Sequence, residues 1–278
     1  MLLTSPLSAG QQTVIYPRPE SQGDVRANYP VAVLQLCEKK SNQAFLLKPS
    51  KVSSQQGRSI RQLIKGIDMD IIWALTTEER ENALLPIRIP IDRGLLGWRM
   101  LLIRKADSDL FQTVTSREQL AALLAGQGHD WPDADVLRAN QFRVATSSTY
   151  EGLFLMLARG HIQYLPRSIS EIWPELNSHS DLNLQVQTHL MIHYPAAFYF
   201  FVNKNNTQLA SILTGCLQTA SQDGSLRALF NQYFRNAIVE ADFAHKTIIA
   251  LDNPQLPEAT PLTTREYWFS PEEMLQNE

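Results

Sequence analysis

Two short strings of residues carry the chemistry of this chain. In the first, Met69-Asp-Ile-Ile-Trp73 leads through Ala74 and Leu75 into Thr76-Thr-Glu-Glu-Arg80. In the second, Phe142-Arg-Val-Ala145 runs into Thr146-Ser-Ser-Thr149. Each is a short apolar strand that ends in hydroxyls, and the first adds a guanidinium. Strand ends that present hydroxyls, N–H groups and an arginine make a seat for a small carboxylate. Thr76 and Arg80 form one such seat; Thr146, Ser147, Ser148 and Thr149 form the other. Two seats in two α/β halves imply a cleft that closes on a small ligand. A plainer reading stands beside each. Arg80 could pair with Glu78 or Glu79 on a solvated turn, and the 146–149 hydroxyls could only cap the helix that starts at Tyr150.

Other chemistries lack their residues. The chain has six histidines. His189 and His193 are four apart but fall in a predicted strand, without the Glu of a His-Glu-x-x-His zinc helix. There is no Gly-rich phosphate loop and no Gly-x-Ser-x-Gly elbow. Cys37 and Cys216 lie on apolar helical faces and read as two buried thiols, although export would leave a single disulfide open. The reading is therefore no catalytic residue, no metal and no cofactor.

The elements that must position these residues follow from periodicity and punctuation. Strand 13–16 is stopped by Pro17 and Pro19. A helix opens at Asn28, with Pro30 in its first turn, and runs to about Lys39. Strand 44–47, a helix through Ile60, Leu63 and Ile64 to Gly66, and strand 67–73 complete a β-α-β-α-β unit. Such alternation argues for a mainly parallel sheet covered by helices. The apolar run 97–104 reads as a strand crossing into a second lobe. Ser116 and Gln119 have capping-box spacing, with Leu120, Leu123 and Leu124 continuing that helix. Residues 126–140 read as a surface loop. Strand 142–146, a helix from Tyr150 to Arg159, strand 162–165, a second capping box at Ser168 and Glu171, and strand 184–187 follow. Strand 198–202 crosses back. Two helices with core-facing periodicity then meet at Gly224. The Pro-rich tail from about 250, with Tyr267, Trp268 and Phe269, is expected to pack extended over the first lobe.

Composition narrows the partners. The chain has 278 residues, 44% hydrophobic, and a formal net charge of −3. It can bury a large core in one large or two moderate domains. No basic run suggests nucleic acid, and no apolar stretch approaches the ~20 residues of a transmembrane helix. The first ten residues, with Pro6, Leu7, Ser8 and Ala9, read either as the remnant of a signal peptide or as an ordinary N-terminus.

In this layout the chain resembles the type 2 periplasmic solute-binding proteins, in the amino-acid-binding (family 3) branch of ABC-transporter substrate-binding proteins. The likeness runs over about 13–236. It is carried by the strand, hydroxyl turn and Arg of 68–80, and by the strand and Ser/Thr turn of 141–152. Arg159-Gly-His-Ile-Gln163 and Phe201-Val-Asn-Lys204, with Asp223-Gly-Ser after its helix, complete it.

The resemblance implies an α/β fold of two lobes joined by two crossing strands, with a ligand cleft between them. It implies lobe 1 at 13–97 and 203–278, lobe 2 with the hinge strands at 98–202, and a residual signal segment at 1–12. It implies that Arg80 forks onto a ligand carboxylate held from the other side by Thr146 to Thr149. Where the family places an acid for the ligand's ammonium, this chain has Ile162-Gln-Tyr-Leu-Pro-Arg167, so Gln163, Tyr164 and Arg167 become the candidate contacts. Arg18 and Glu20 stand where the family has a stacking aromatic, with Tyr16 or Tyr29 as candidates to replace it. These departures favour an anionic or less cationic ligand over an ordinary α-amino acid. The expected role is a monomeric, periplasmic, non-enzymatic binding protein for a small carboxylate-bearing solute, amino-acid-like or an organic anion. Its partner would be a membrane permease or a signalling receptor. The rival is a dehydratase-like enzyme on the same scaffold, using Glu20 or Glu151 as general acid.

Overall fold

The computed structural model describes residues 12–20, 24–42 and 45–275. The segment read as a signal remnant lies, apart from Gln12, outside the described residues. The first strands are β1 (Gln12–Tyr16) and β2 (Phe45–Pro49), parallel and joined through α1 (Asn28–Lys40). Helix α2 (Gln56–Lys65) ends at Gly66, whose φ of 65° is the left-handed cap that glycine adopts without strain. Next come β3 (Ile71–Leu75), α3 (Glu78–Ala83) and β4 (Leu85–Ile87). The chain crosses over in β5 (Trp98–Arg104) and continues through α4 (Ser108–Gln112), α5 (Arg117–Ala122), β6 (Leu124–Gly128) and α6 (Pro132–Ala139). Then follow β7 (Arg143–Ser147), α7 (Tyr150–Ala158), β8 (Tyr164–Ser168), α8 (Ile172–Ser178), β9 (Leu184–Val186) and β10 (Leu190–His193). The return passes through β11 (Phe198–Val202) to α9 (Thr207–Gln222), α10 (Ser225–Glu240) and β12 (Thr247–Ala250).

Two sheet systems result. In the first lobe, β11 lies between β3 and β4 and runs antiparallel to both, with Phe200 opposite Trp73 and Ile87. The β1–β2 pair docks beside β3 through Asp70, whose N–H donates to the Ile15 carbonyl (2.9 Å) and whose carboxylate accepts the Ile15 N–H (2.8 Å). In the second lobe, seven strands run in the order β12-β10-β5-β8-β6-β7, with β9 also on β5. Strand β5 is buried along nearly its whole length and β11 along all of it. That explains their apolar runs, unbroken in β11 and broken in β5 only by Arg99 before its terminal Arg104.

The crossing strands touch closely. Trp98 and His193 sit opposite each other in the β5–β10 pairing, with ring centroids 3.8 Å apart. A Cβ at Gly97 would lie 2.2 Å from the Tyr194 carbonyl oxygen, so only glycine fits there.

The structure departs from the sequence expectations at several places: the sheets are mixed rather than mainly parallel, Leu124 opens β6 instead of continuing α5, and Ser168 ends β8 instead of capping a helix. The 126–140 stretch is not a surface loop. It is the end of β6 and most of α6, and residues 125–128 are buried. Its glycines hide a central strand: a Cβ at Gly126 would meet Ile162 at 2.3 Å and one at Gly128 would meet the Trp131 ring at 2.5 Å. The cysteines are not thiols, because Cys37 of α1 and Cys216 of α9 form a disulfide with Cα atoms 5.4 Å apart. Both faces are buried, as the pattern implies, but the packing that brings them opposite each other is a tertiary fact. Finally, the chain after α10 does not stay on the first lobe. Strand β12 extends the second lobe's sheet beside β10. The tail then returns across the hinge, where Asn253 donates to the Pro195 carbonyl (2.9 Å) and Phe269 N–H to the Arg93 carbonyl (2.6 Å). Arg93 and Glu273 close this strap with an ion pair at 2.7 Å.

Candidate functional site

A cleft of about 240 Å³ opens between the lobes. The first lobe contributes the β1–α1 loop (Pro17 to Pro19), Tyr29 at the start of α1, Ser54 and Gln56 around the start of α2, and Trp73 on β3. The second lobe contributes Trp131 and Asp133 at the start of α6, Arg99 on β5, and Arg167 and Glu171 around the end of β8. Tyr233 and Phe234 of α10 form part of the wall. The volume suits a small solute more than a drug-sized one.

Most of the charge in this cleft is already paired. The Arg167 guanidinium, 2% exposed, binds Glu175 through Nε and Nη2 at 2.6 Å each and Glu171 at 2.9 Å. Burial works against its charge, but the two carboxylates outweigh that and hold it protonated. Its plane also covers the Trp131 ring at 4.8 Å. Arg99 binds the Asp133 carboxylate, which also accepts the Tyr194 hydroxyl. From the other lobe, Arg26 binds Asp24 (2.7 Å) and Glu20 (2.9 Å) and lies 4.2 Å over Tyr150. Arg18 donates through Nε to the Ser50 carbonyl (2.9 Å), while its two terminal nitrogens meet no acceptor among the described residues.

The residues singled out by sequence fall in several places. Arg18 and Arg167 line the cleft. Arg80 does not. It is 8% exposed and donates to the Leu75 carbonyl (2.7 Å), the Gln56 side chain (2.8 Å) and the Asp130 carbonyl (3.1 Å). Burial lowers its pKa to about 10. Thr76 is buried and donates to Glu81 (2.7 Å). Thr146 is exposed on β7. Thr149 is the N-cap of α7, accepting from Gly152 (3.2 Å); the Ser147 hydroxyl donates to the Thr149 carbonyl (2.9 Å) and accepts its N–H (3.2 Å); and the Ser148 carbonyl accepts from Gln55 (2.5 Å). These three border a separate crevice of only about 10 Å³. Gln163 accepts the Leu124 N–H (2.7 Å), and the fully buried Tyr164 donates to the Leu120 carbonyl.

Of the two acids considered as general acids, Glu20 lines the cleft in its ion pair with Arg26, and Glu151 pairs with His179 at 2.9 Å. Among the described residues, no group of three His, Cys, Asp or Glu side chains could hold a metal.

Tyr29, one of the two candidates for the stacking aromatic, lines the cleft, whereas several lining residues escaped the sequence reading: Arg26, Asp92, Arg99, Trp131 and Asp133. Two carried a signal. Arg99 is a charge inside an otherwise apolar strand, and Asp92 follows an apolar run directly before a glycine turn. Buried charge in such settings is usually paired or functional.

No family model and no curated protein matches the chain. Solved structures do. An ancestral arginine-binding protein bound to arginine is 13% identical, with a TM-score of 0.61 and a match over 81% of this chain and 98% of that one. A periplasmic His/Glu/Gln/Arg/opine family-binding protein from Silicibacter pomeroyi, in complex with lysine, is 12% identical, with a TM-score of 0.61 over 81% and 97%. A histidine kinase sensor domain with similarity to periplasmic binding proteins is also 12% identical, with a TM-score of 0.60 over 81% and 96%. At such identities the likeness establishes the fold. Two α/β lobes, two crossing strands and a cleft between the sheets make this the periplasmic-binding-protein type 2 fold.

Proposed function

We propose that the chain is an extracytoplasmic solute-binding protein that clamps a small, carboxylate-bearing, amino-acid-like solute, for delivery to an ABC importer. The observation that carries this reading is the cleft itself, walled by side chains from both lobes and sized for a small solute. The amino acids bound by the similar structures support it. The ligand's carboxylate would meet Arg18 and the side-chain amide of Gln56, which line the cleft together. Arg80 would act there indirectly, by orienting Gln56. Ligand sensing for a signalling receptor is a second reading, favoured by the likeness to a kinase sensor domain.

A thermal-shift screen with amino acids, dicarboxylates, keto acids and short peptides tests the proposal. A solute at a hundred times its Kd stabilises the native state by about 2.7 kcal/mol, a clear rise in midpoint. We expect a shift with one class of carboxylate, reduced in Arg18→Ala. A flat response to the whole panel would remove the amino-acid-like reading.

A further inference from the structure

Asp92 stands apart from every other acid in the cleft. Glu20 and Asp24 are paired with Arg26, Asp133 with Arg99, and Glu171 with Arg167. Among the described residues Asp92 has no ion-pair partner, although it lines the same cleft and is 1% exposed. Its oxygens accept two backbone N–H groups, from Gly94 (3.1 Å) and Leu96 (2.8 Å). A carboxylate offers about four acceptor positions, so about half its capacity remains. The cap uses both oxygens, which an asparagine with its single acceptor could not do, but it leaves the carboxylate's charge without an ion-pair partner among the described residues.

The groups around Asp92 suit a cation. Tyr29 of α1 donates its hydroxyl to the neighbouring Ile91 carbonyl (2.6 Å), and burial and then Asp92 push its ionisation far up, so it stays neutral. Tyr233 and Phe234 of α10 stand beside Tyr29, with ring centroids 5.3 and 4.6 Å away. Arg93, the next residue, turns to Glu273 of the tail, and Arg99 of β5 is taken by Asp133. Across the cleft as a whole, the lining acids Glu20, Asp24, Asp92, Asp133 and Glu171 outnumber the guanidinia of Arg18, Arg26, Arg99 and Arg167. Closure over a neutral or anionic solute leaves that excess buried, which is costly; a cationic solute offsets it.

We infer that Asp92 is the cation-recognising group of the cleft, seating a side-chain ammonium or guanidinium of the solute against its carboxylate beside the rings of Tyr29 and Tyr233. The inference rests on the solute-binding reading and narrows it to solutes that carry net positive charge.

A protonation linkage follows. Burial, only partly offset by the Leu96 and Gly94 N–H groups and by Arg99, raises the Asp92 pKa to about 7. A bound cation favours the ionised form. Below about pH 7 the cation must therefore displace a proton, and affinity falls as pH falls.

Isothermal titration calorimetry with arginine, agmatine, glutamine and glutamate on the full chain tests this. Arginine is expected to bind about tenfold or more tightly than glutamine at pH 8. Asp92→Asn, which removes the charge and keeps one of the two cap bonds, should remove that preference and leave glutamine within about twofold. At pH 6.5, titrations in two buffers of different ionisation enthalpy should show proton release in the wild type and none in the variant. Equal losses for arginine and glutamine would make Asp92 structural and overturn the inference. Binding of glutamine or glutamate in preference to arginine and agmatine would also overturn it while the solute-binding reading stands. Failure of all four to bind would remove both.

Discussion

Arg80 shows how one residue type admits two roles that only contacts separate. Its place after a strand and a hydroxyl turn suits a ligand fork, yet its guanidinium is spent on Leu75, Gln56 and Asp130 within the protein. Arg80→Ala leaves these acceptors buried and unmet. We expect a loss of about 2–4 kcal/mol of stability by urea denaturation. A residue that only touched ligand would cost affinity at unchanged stability, so paired denaturation and binding measurements separate the roles. Thr149 was legible as a cap because capping is local. Tyr164 and Gln163 were not placed, because a strand's two faces look alike until its neighbours are known.

At the scale of elements, the long amphipathic helices were legible almost to their ends, whereas buried strands were found but shifted: β3 is Ile71–Leu75 against 67–73, and β8 is Tyr164–Ser168 against 162–165. Helices α9 and α10 follow their 3.6-residue period, and Gly224 between them has a φ of 78°. Strands made of small residues were not. β6 is Leu-Ala-Gly-Gln-Gly, and its apolar signal is supplied by Ile162, Leu165 and Trp131 packing where side chains are missing. The disulfide between α1 and α9 belongs to this scale as well. It closes a sequence separation of 179 residues. Reduction, or the double change Cys37→Ser and Cys216→Ser, is expected to cost about 2–5 kcal/mol, seen as a lower midpoint in thermal unfolding. An unchanged midpoint would show that helix packing alone holds this seam.

In the whole molecule the two lobes touch directly beside the cleft. The Asp130 carboxylate accepts the Gly57 N–H (2.6 Å) at the start of α2, and its carbonyl accepts from Arg80. Gln55 reaches the Ser148 carbonyl, and Gln255 of the tail reaches Asp135 at 3.2 Å. These bonds stabilise closure, while the strap over Pro195 and Arg93 ties the hinge itself. Asp130→Ala removes the acceptor at α2. We expect a larger radius of gyration by small-angle X-ray scattering in the absence of solute, with the difference shrinking when solute closes the cleft. Equal radii without solute would place the closing force elsewhere.

By itself the sequence determined the alternating elements, the two crossing strands, the helix pair and the absence of any phosphate, zinc or nucleophile motif. Periodicity and turn chemistry are local, so they survive reading in one dimension. Tertiary structure alone decided that Arg80 serves the protein, that Cys37 meets Cys216, that β12 joins the second lobe and that Asp92 lines the cleft without an ion-pair partner among the described residues. Each of those depends on which distant residue arrives next to it. That is a property of packed faces and of charge balance in a closed space, which no single segment contains.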